Sequence, residues 1–271
     1  MTATAASYPL PRERNLILGS LLVLAAAAWT LLIWQSSVMD TDMSLTMGMA
    51  APVFVGIWIA MMVAIMFPTA APMILMFARV HNQRRERGQN FVPTWVFASS
   101  YLLVWAASGL AAYGIAVAGD KLADQSTWIM DNAARIGGGV LIAAGLYQLS
   151  PLKSICLSKC RTPISFILNS WRDGYAGSFR MGVDHGVYCL GCCWMLFVIL
   201  FPLGMMNVAA MALITLLIFA EKSTPIGRQM AAVAAAGLIV YGVLVIAFPD
   251  LLPTVMGGAG MDQPDKMQPM M

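Results

Sequence analysis

The run MGVDHGVYCLGCCWMLFVILFPLGMMNVAAMALITLLIFA, Met181 to Ala220, decides the fold. It is apolar almost throughout. Forty helical residues would reach about 60 Å, twice the hydrocarbon thickness of a bilayer. The run must therefore fold back, and F-P-L-G at Phe201 to Gly204 supplies the break. Its first half reads as a span over 181–202 and its second as a span over 205–220. Within the first half, helical geometry advances each residue by about 100°. Measured from His185, Cys189 lies at roughly +40°, Cys192 at −20°, Cys193 at +80° and Met181 at −40°. One imidazole, three thiols and a thioether thus share a face. A lone buried Cys is usually a small hydrophobe and a Met fills gaps. Four Cys and His residues within nine positions on one face instead make a soft-metal ligand set.

The rest of the chain reads outward from that run. Of 271 residues, 59% are hydrophobic and 11% charged, with a mean hydropathy of +0.74. That composition belongs to an all-α, polytopic membrane bundle rather than a soluble domain. A net charge of +3 gives no reason to expect nucleic acid as a partner. The expected spans are 16–34, 52–78, 91–118, 128–149, 181–202, 205–220 and 230–248. These seven form a single helical domain, preceded by a short N-terminus, 1–15, and followed by a Met-rich external tail, 249–271. Pro68 and Pro72 interrupt the second span, and Gly137, Gly138, Gly139 and Gly145 in the fourth suggest close helix packing. His81, in the basic stretch R-V-H-N-Q-R-R-E-R, reads as a solvated loop residue, and Glu221 to Arg228 as a charged loop.

Orientation follows from the basic residues. With the N-terminus inside and the C-terminus outside, all of the 16 Lys and Arg fall inside except Lys121, Arg135 and Lys266. This expectation sets the chain in a lipid bilayer, its first partner, with the basic loops on the cytosolic side. The same orientation sorts the sulfur. The Met-rich segments, Met39 to Met49 and Met256 to Met271, fall outside, where thioethers resist disulfide formation. All five cysteines fall on the cytosolic side or in the inner half of the membrane, where thiols stay reduced. Cys156 and Cys160, four apart, can chelate one ion if helical. Met62, Met66 and Met73 lie on one stripe of the second span, as core packing or as a thioether path. Asp184 either orients His185 or faces the headgroups.

These blocks resemble the bacterial family of predicted metal-binding integral membrane proteins, a domain family of unknown function. The resemblance is carried by W-I-A-M-M-V-A-I-M-F-P (Trp58 to Pro68) and Y-Q-L-S-P-L-K-S-I-C-L-S-K-C-R-T-P (Tyr147 to Pro163). It continues in W-R-D-G (Trp171 to Gly174), M-G-V-D-H-G-V-Y-C-L-G-C-C-W (Met181 to Trp194) and G-M-M-N (Gly204 to Asn207). It spans roughly Phe54 to Lys222, and it implies a membrane-embedded metal site in a bacterial inner (cytoplasmic) membrane.

The expectation is a soft-metal handling or transport protein, with Cu(I) favoured over Zn as the ion. His185, Cys189, Cys192 and Cys193 are its central ligands. Cys156 and Cys160 form a cytosolic relay, and Met181, Met62, Met66, Met73 and Asp184 are auxiliary candidates. A metallochaperone or other metal-delivering protein is the implied partner. No Walker motif appears, so ATP-driven pumping has no support, and the residues ask for a binding site rather than for turnover. The alternative is a membrane thiol–disulfide oxidoreductase or electron-transfer protein using the same cysteines. Haem ligation through His185 and a Met is a weaker third reading, because the C-x-x-C-H motif is absent.

Overall fold

The computed structural model describes residues 11–38 and 44–256. Among them all regular structure is helical. The long helices are α1 (Pro11–Val38), α2 (Ala51–Glu86) and α3 (Thr94–Gln125). The short α4 (Thr127–Asp131) leads into α5 (Ala133–Gln148), then α6 (Pro151–Arg161) and α7 (Pro163–Ser170). The site helix α8 (Gly174–Val198) and the one-turn α9 (Leu200–Leu203) follow. The chain continues through α10 (Val208–Ser223) and α11 (Gly227–Ala247), then a 3-10 turn (Pro249–Leu251) and α12 (Pro253–Met256).

Five of these stretches are long and apolar enough to cross a membrane: Arg12–Val38, Ala51–Glu86, Thr94–Gln125, Gly174–Leu203 and Gly227–Ala247. The pair α5–α6, bent by 61°, makes a sixth if counted as one broken span. The expected span over 205–220 is α10, whose 16 residues fall short of the same length. Helix ends also run past the apolar stretches that announce them. α8 begins at Gly174 rather than Met181, because Arg180 lies on its exposed side and does not stop the helix. α2 likewise continues through the basic residues to Glu86. The Met-rich ends were expected to lie outside. Met39, Met43, Met261, Met267, Met270 and Met271 fall beyond the described residues, while Met47 and Met49 pack, half-buried, against the core.

Two helices are central. In their most apolar stretches, α2 is 56% and α8 50% buried, against 22% for α1, α3 and α11. The peripheral helices turn Leu22, Leu103, Leu110, Ile115 and Val240 outward, an apolar rim that water would not tolerate over so wide a surface. Pro68 and Pro72 sit inside α2 without ending it. Next to them the Thr69 hydroxyl donates to the Met66 carbonyl at 3.0 Å. That is one of the local ways in which apolar helices keep backbone groups satisfied.

Small residues set two helix contacts. A Cβ on Gly182 would lie 1.9 Å from Ser100 Oγ and 2.5 Å from the Phe97 carbonyl oxygen. Gly186, one turn on, would meet Val104 at 2.8 Å. This pair lets α8 lie directly on α3. In the same way Gly138 and Gly145 of α5 face the Gly242 and Ala235 carbonyls of α11, where any Cβ would come within 2.8 Å. Gly139 is different: a Cβ there meets nothing within 4 Å.

The fold-back at Phe201–Gly204 is present. Gly204, with φ +93°, ends α9 in a conformation that L side chains rarely adopt. Asn207 then caps α10 by accepting from the Ala210 N–H at 3.0 Å. From there α10 returns against α11 and α2, and a side chain from its last turn reaches the middle of α8. Lys222 meets Cys189 there.

Candidate metal site

Met181, His185, Cys189, Cys192 and Cys193 are all buried, as their common helical face requires. The structure divides them. Cys189 and Cys192 join Cys160 of α6 in a group whose three sulfurs lie within 4.8 Å of one another. Cys160 Sγ and Cys192 Sγ are 4.0 Å apart. Three sulfurs around one ion at about 2.3 Å stand about 3.8–4.0 Å from each other, so small side-chain rotations close this group on an ion. Met66 of α2 adds a thioether, its Sδ 3.9 Å from Cys189 Sγ. Thiols from two helices and a thioether from a third form a donor set suited to a soft metal ion.

α6 is held in place by local rules. Ser150 caps it, accepting from the Lys153 N–H, and Pro151 fills its first position, where no N–H is needed. Its approach to α8 depends on Gly191, where a Cβ would lie 2.8 Å from Cys156 Sγ. Tyr147 donates to the Gly191 carbonyl from the neighbouring α5. Two further ties run from α6 to α10. Lys153 Nζ pairs with Glu221 at 2.7 Å, both fully buried, and Gln148 hydrogen-bonds to both. Arg161 donates to the Thr224 carbonyl at 2.7 Å.

The other expected ligands lie nearby but outside the trio. Cys156 packs over Gly191, one turn from Cys160. Cys193 donates to the Cys189 carbonyl at 2.8 Å, and Cys192 shares that acceptor at 3.1 Å. His185 sits one turn before Cys189 in an aromatic box. Its ring stacks on Tyr101 and Phe97, with centroids at 5.4 and 5.9 Å, and meets the edge of Phe166 at 5.5 Å. Its Nδ1 is buried without a hydrogen-bond partner among the described residues. Met181, Met62 and Met73 are buried in the common hydrophobic core, and Asp184 is half-buried.

Two contributors were missed by the sequence reading. Tyr101 of α3 places its hydroxyl 3.2 Å from Cys189 Sγ. Lys222, assigned to a charged loop, lies in the last turn of α10. Its Nζ reaches Cys189 Sγ at 3.1 Å and Met66 Sδ at 3.9 Å. The only signal in the sequence was a charged pair, Glu221–Lys222, ending an apolar run.

His81 corrects the expectation of a solvated loop residue. It lies within α2 and is 1% exposed. The Val92 N–H donates to its Nδ1 at 3.3 Å, and Ser178 Oγ lies 3.5 Å from its Nε2. Phe77 and Trp171 flank the ring. Of the basic residues around it in sequence, Arg85 and Arg87 are exposed, while the histidine points in.

Fold and site together define a class: a helical protein, with helices apolar enough for a membrane, closing on a buried group of sulfur donors. A family model described as PpoB2, copper chaperone, matches residues 55–245, well over half of the chain, and the chain belongs to that family. The match encloses all five cysteines, Met66 and Lys222. No curated protein and no solved structure matches the chain.

Proposed function

We propose that this protein is an integral membrane copper chaperone that holds Cu(I) on Cys160, Cys189 and Cys192, with Met66 as a fourth donor. The observation that carries the reading is the trio itself: three thiols from α6 and α8 within 4.8 Å, beside a thioether, in a chain of a copper chaperone family. Thiolate and thioether donors favour Cu(I) over Zn, whose structural sites use four Cys or His ligands. His185 and Cys193 flank the trio and serve as secondary donors during entry or exit of the ion, and Cys156 extends the α6 side of that route. The basic residues favour an orientation with the N-terminus and α6 on the cytosolic side of a bacterial inner membrane. Copper then passes to or from a soluble donor or acceptor at that face.

The test is elemental analysis of protein purified anaerobically in detergent, wild type beside a Cys160/Cys189/Cys192 triple Ser variant. About one copper per chain in the wild type and none in the variant is the expected result. Absence of copper from anaerobically reconstituted wild type would sink the reading.

A second reading rests on one distance. Cys160 and Cys192 sulfurs 4.0 Å apart need to move about 2 Å to form a disulfide, so a dithiol that exchanges with a partner disulfide fits the same pair. Alkylation trapping in cells separates the two readings. A mixture of oxidised and reduced Cys192 favours exchange, and thiols that stay fully reduced during oxidising growth favour copper.

A further inference from the structure

Lys222 brings a positive charge to the sulfur cluster itself. Its Nζ approaches Cys189 Sγ and Met66 Sδ, both of them candidate copper donors. The neighbouring carboxylate, Glu221, is taken by Lys153 and Gln148. The ammonium of Lys222 is thus directed at sulfur, in a position that a salt bridge does not explain.

The three distances among Nζ, Cys189 Sγ and Met66 Sδ put the ammonium about 3 Å from the midpoint of the two sulfurs. An ion shared by those sulfurs sits close to that midpoint. Two cations at such separation repel strongly in a buried setting, where little water screens them. Copper and the ammonium therefore exclude one another at Cys189.

We propose that Lys222 is a tethered cation that competes with copper for Cys189 and speeds release of the ion to an acceptor; this rests on the copper reading above. As an acceptor's donor atom binds the ion, the copper–sulfur bond to Cys189 breaks and the ammonium returns to the same sulfur. Its charge replaces that of the departing ion, so the thiolate is never left buried and unpaired. No electron changes place, and Cys189 needs no proton; Cys160 and Cys192, which lost theirs to bind the ion, regain protons from solvent as it leaves. Lys222 is a positioning residue for exchange, not a ligand.

The experiment loads full-length protein in detergent with Cu(I), adds excess bathocuproine disulfonate, and follows transfer by the absorbance of the chelate. Lys222→Gln is expected to retain one copper per chain and the same sulfur-to-copper absorption band, and to release the ion about tenfold more slowly. Lys222→Arg, which keeps the charge, is expected to restore release to near the wild-type rate. Release from Lys222→Gln at the wild-type rate or faster overturns the proposal while leaving the copper site standing. A wild type that binds no copper overturns the copper reading itself. Lys222→Leu, measured in the same way, takes the place of Lys222→Gln if that variant does not fold.

Discussion

Two buried histidines stand on neighbouring central helices, and their surroundings differ. His81 is 1% and His185 2% exposed. At the end of α2, His81 accepts from the Val92 N–H, lies near Ser178 and is flanked by Trp171. Arg84 lies over the same Trp171 ring at 4.8 Å and pairs with Asp173 at 2.6 Å. That cluster ties the end of α2 to the α2–α3 connection and to the start of α8. In the middle of α8, His185 has aromatic neighbours and a buried Nδ1 with no partner among the described residues. A buried polar atom without a partner is costly, about 1–3 kcal/mol, and native proteins rarely keep one without a use. The first histidine is spent on structure. The second leaves a ring nitrogen without a partner one helical turn before Cys189.

Substitution breaks or sharpens this contrast. The largest effect belongs to His81→Ala, which leaves the Val92 N–H unsatisfied and opens a cavity among Phe77, Phe91 and Trp171. It is expected to cost about 3 kcal/mol, read as a lowered melting temperature in detergent, with copper stoichiometry unchanged in the protein that still folds. Gly182→Ala comes next. Its Cβ meets Ser100 Oγ and the Phe97 carbonyl, so α3 and α8 must separate, at about 1–3 kcal/mol in the same melt. His185→Phe should do the reverse of His81→Ala. Removing an unpartnered nitrogen from an aromatic box is expected to leave stability within about 1 kcal/mol of wild type, or to raise it, while copper uptake falls. A His185→Phe variant that takes up copper normally would reduce this histidine to packing. The smallest effect belongs to Arg84→Gln, whose partly exposed ion pair with Asp173 contributes about 0.5 kcal/mol.

The sequence made part of this legible. The face of α8 is a periodicity of one helix, so 100° steps were enough to collect Met181, His185, Cys189, Cys192 and Cys193 before any packing was known. Which of them meet a second helix is a matter of docking, and the sequence does not encode it locally. Cys160 lies 32 residues from Cys192 and enters the trio, whereas Cys156, one turn away, is directed at Gly191 instead. Lys222 and Tyr101 reach Cys189 across separations of 33 and 88 residues, beyond any pattern of spacing. His81 was misread for a different reason. Flanking arginines mark a stretch as solvated on average, but a helix has two faces, and only one of them is wet. Among the expected spans α10 stands apart because apolar character and length are separate requirements, and its 16 residues satisfy the first alone.

The ties on either side of Lys222 govern how the site can respond. Glu221 is bound to Lys153, and the Thr224 carbonyl is bound to Arg161. The backbone that carries Lys222 is pinned from both directions, so its side chain works as an arm on a fixed pivot. Four single-bond torsions let the amine swing away from Cys189 and back without shifting a helix. The local barrier at the lysine is then one of rotamer change rather than of domain motion.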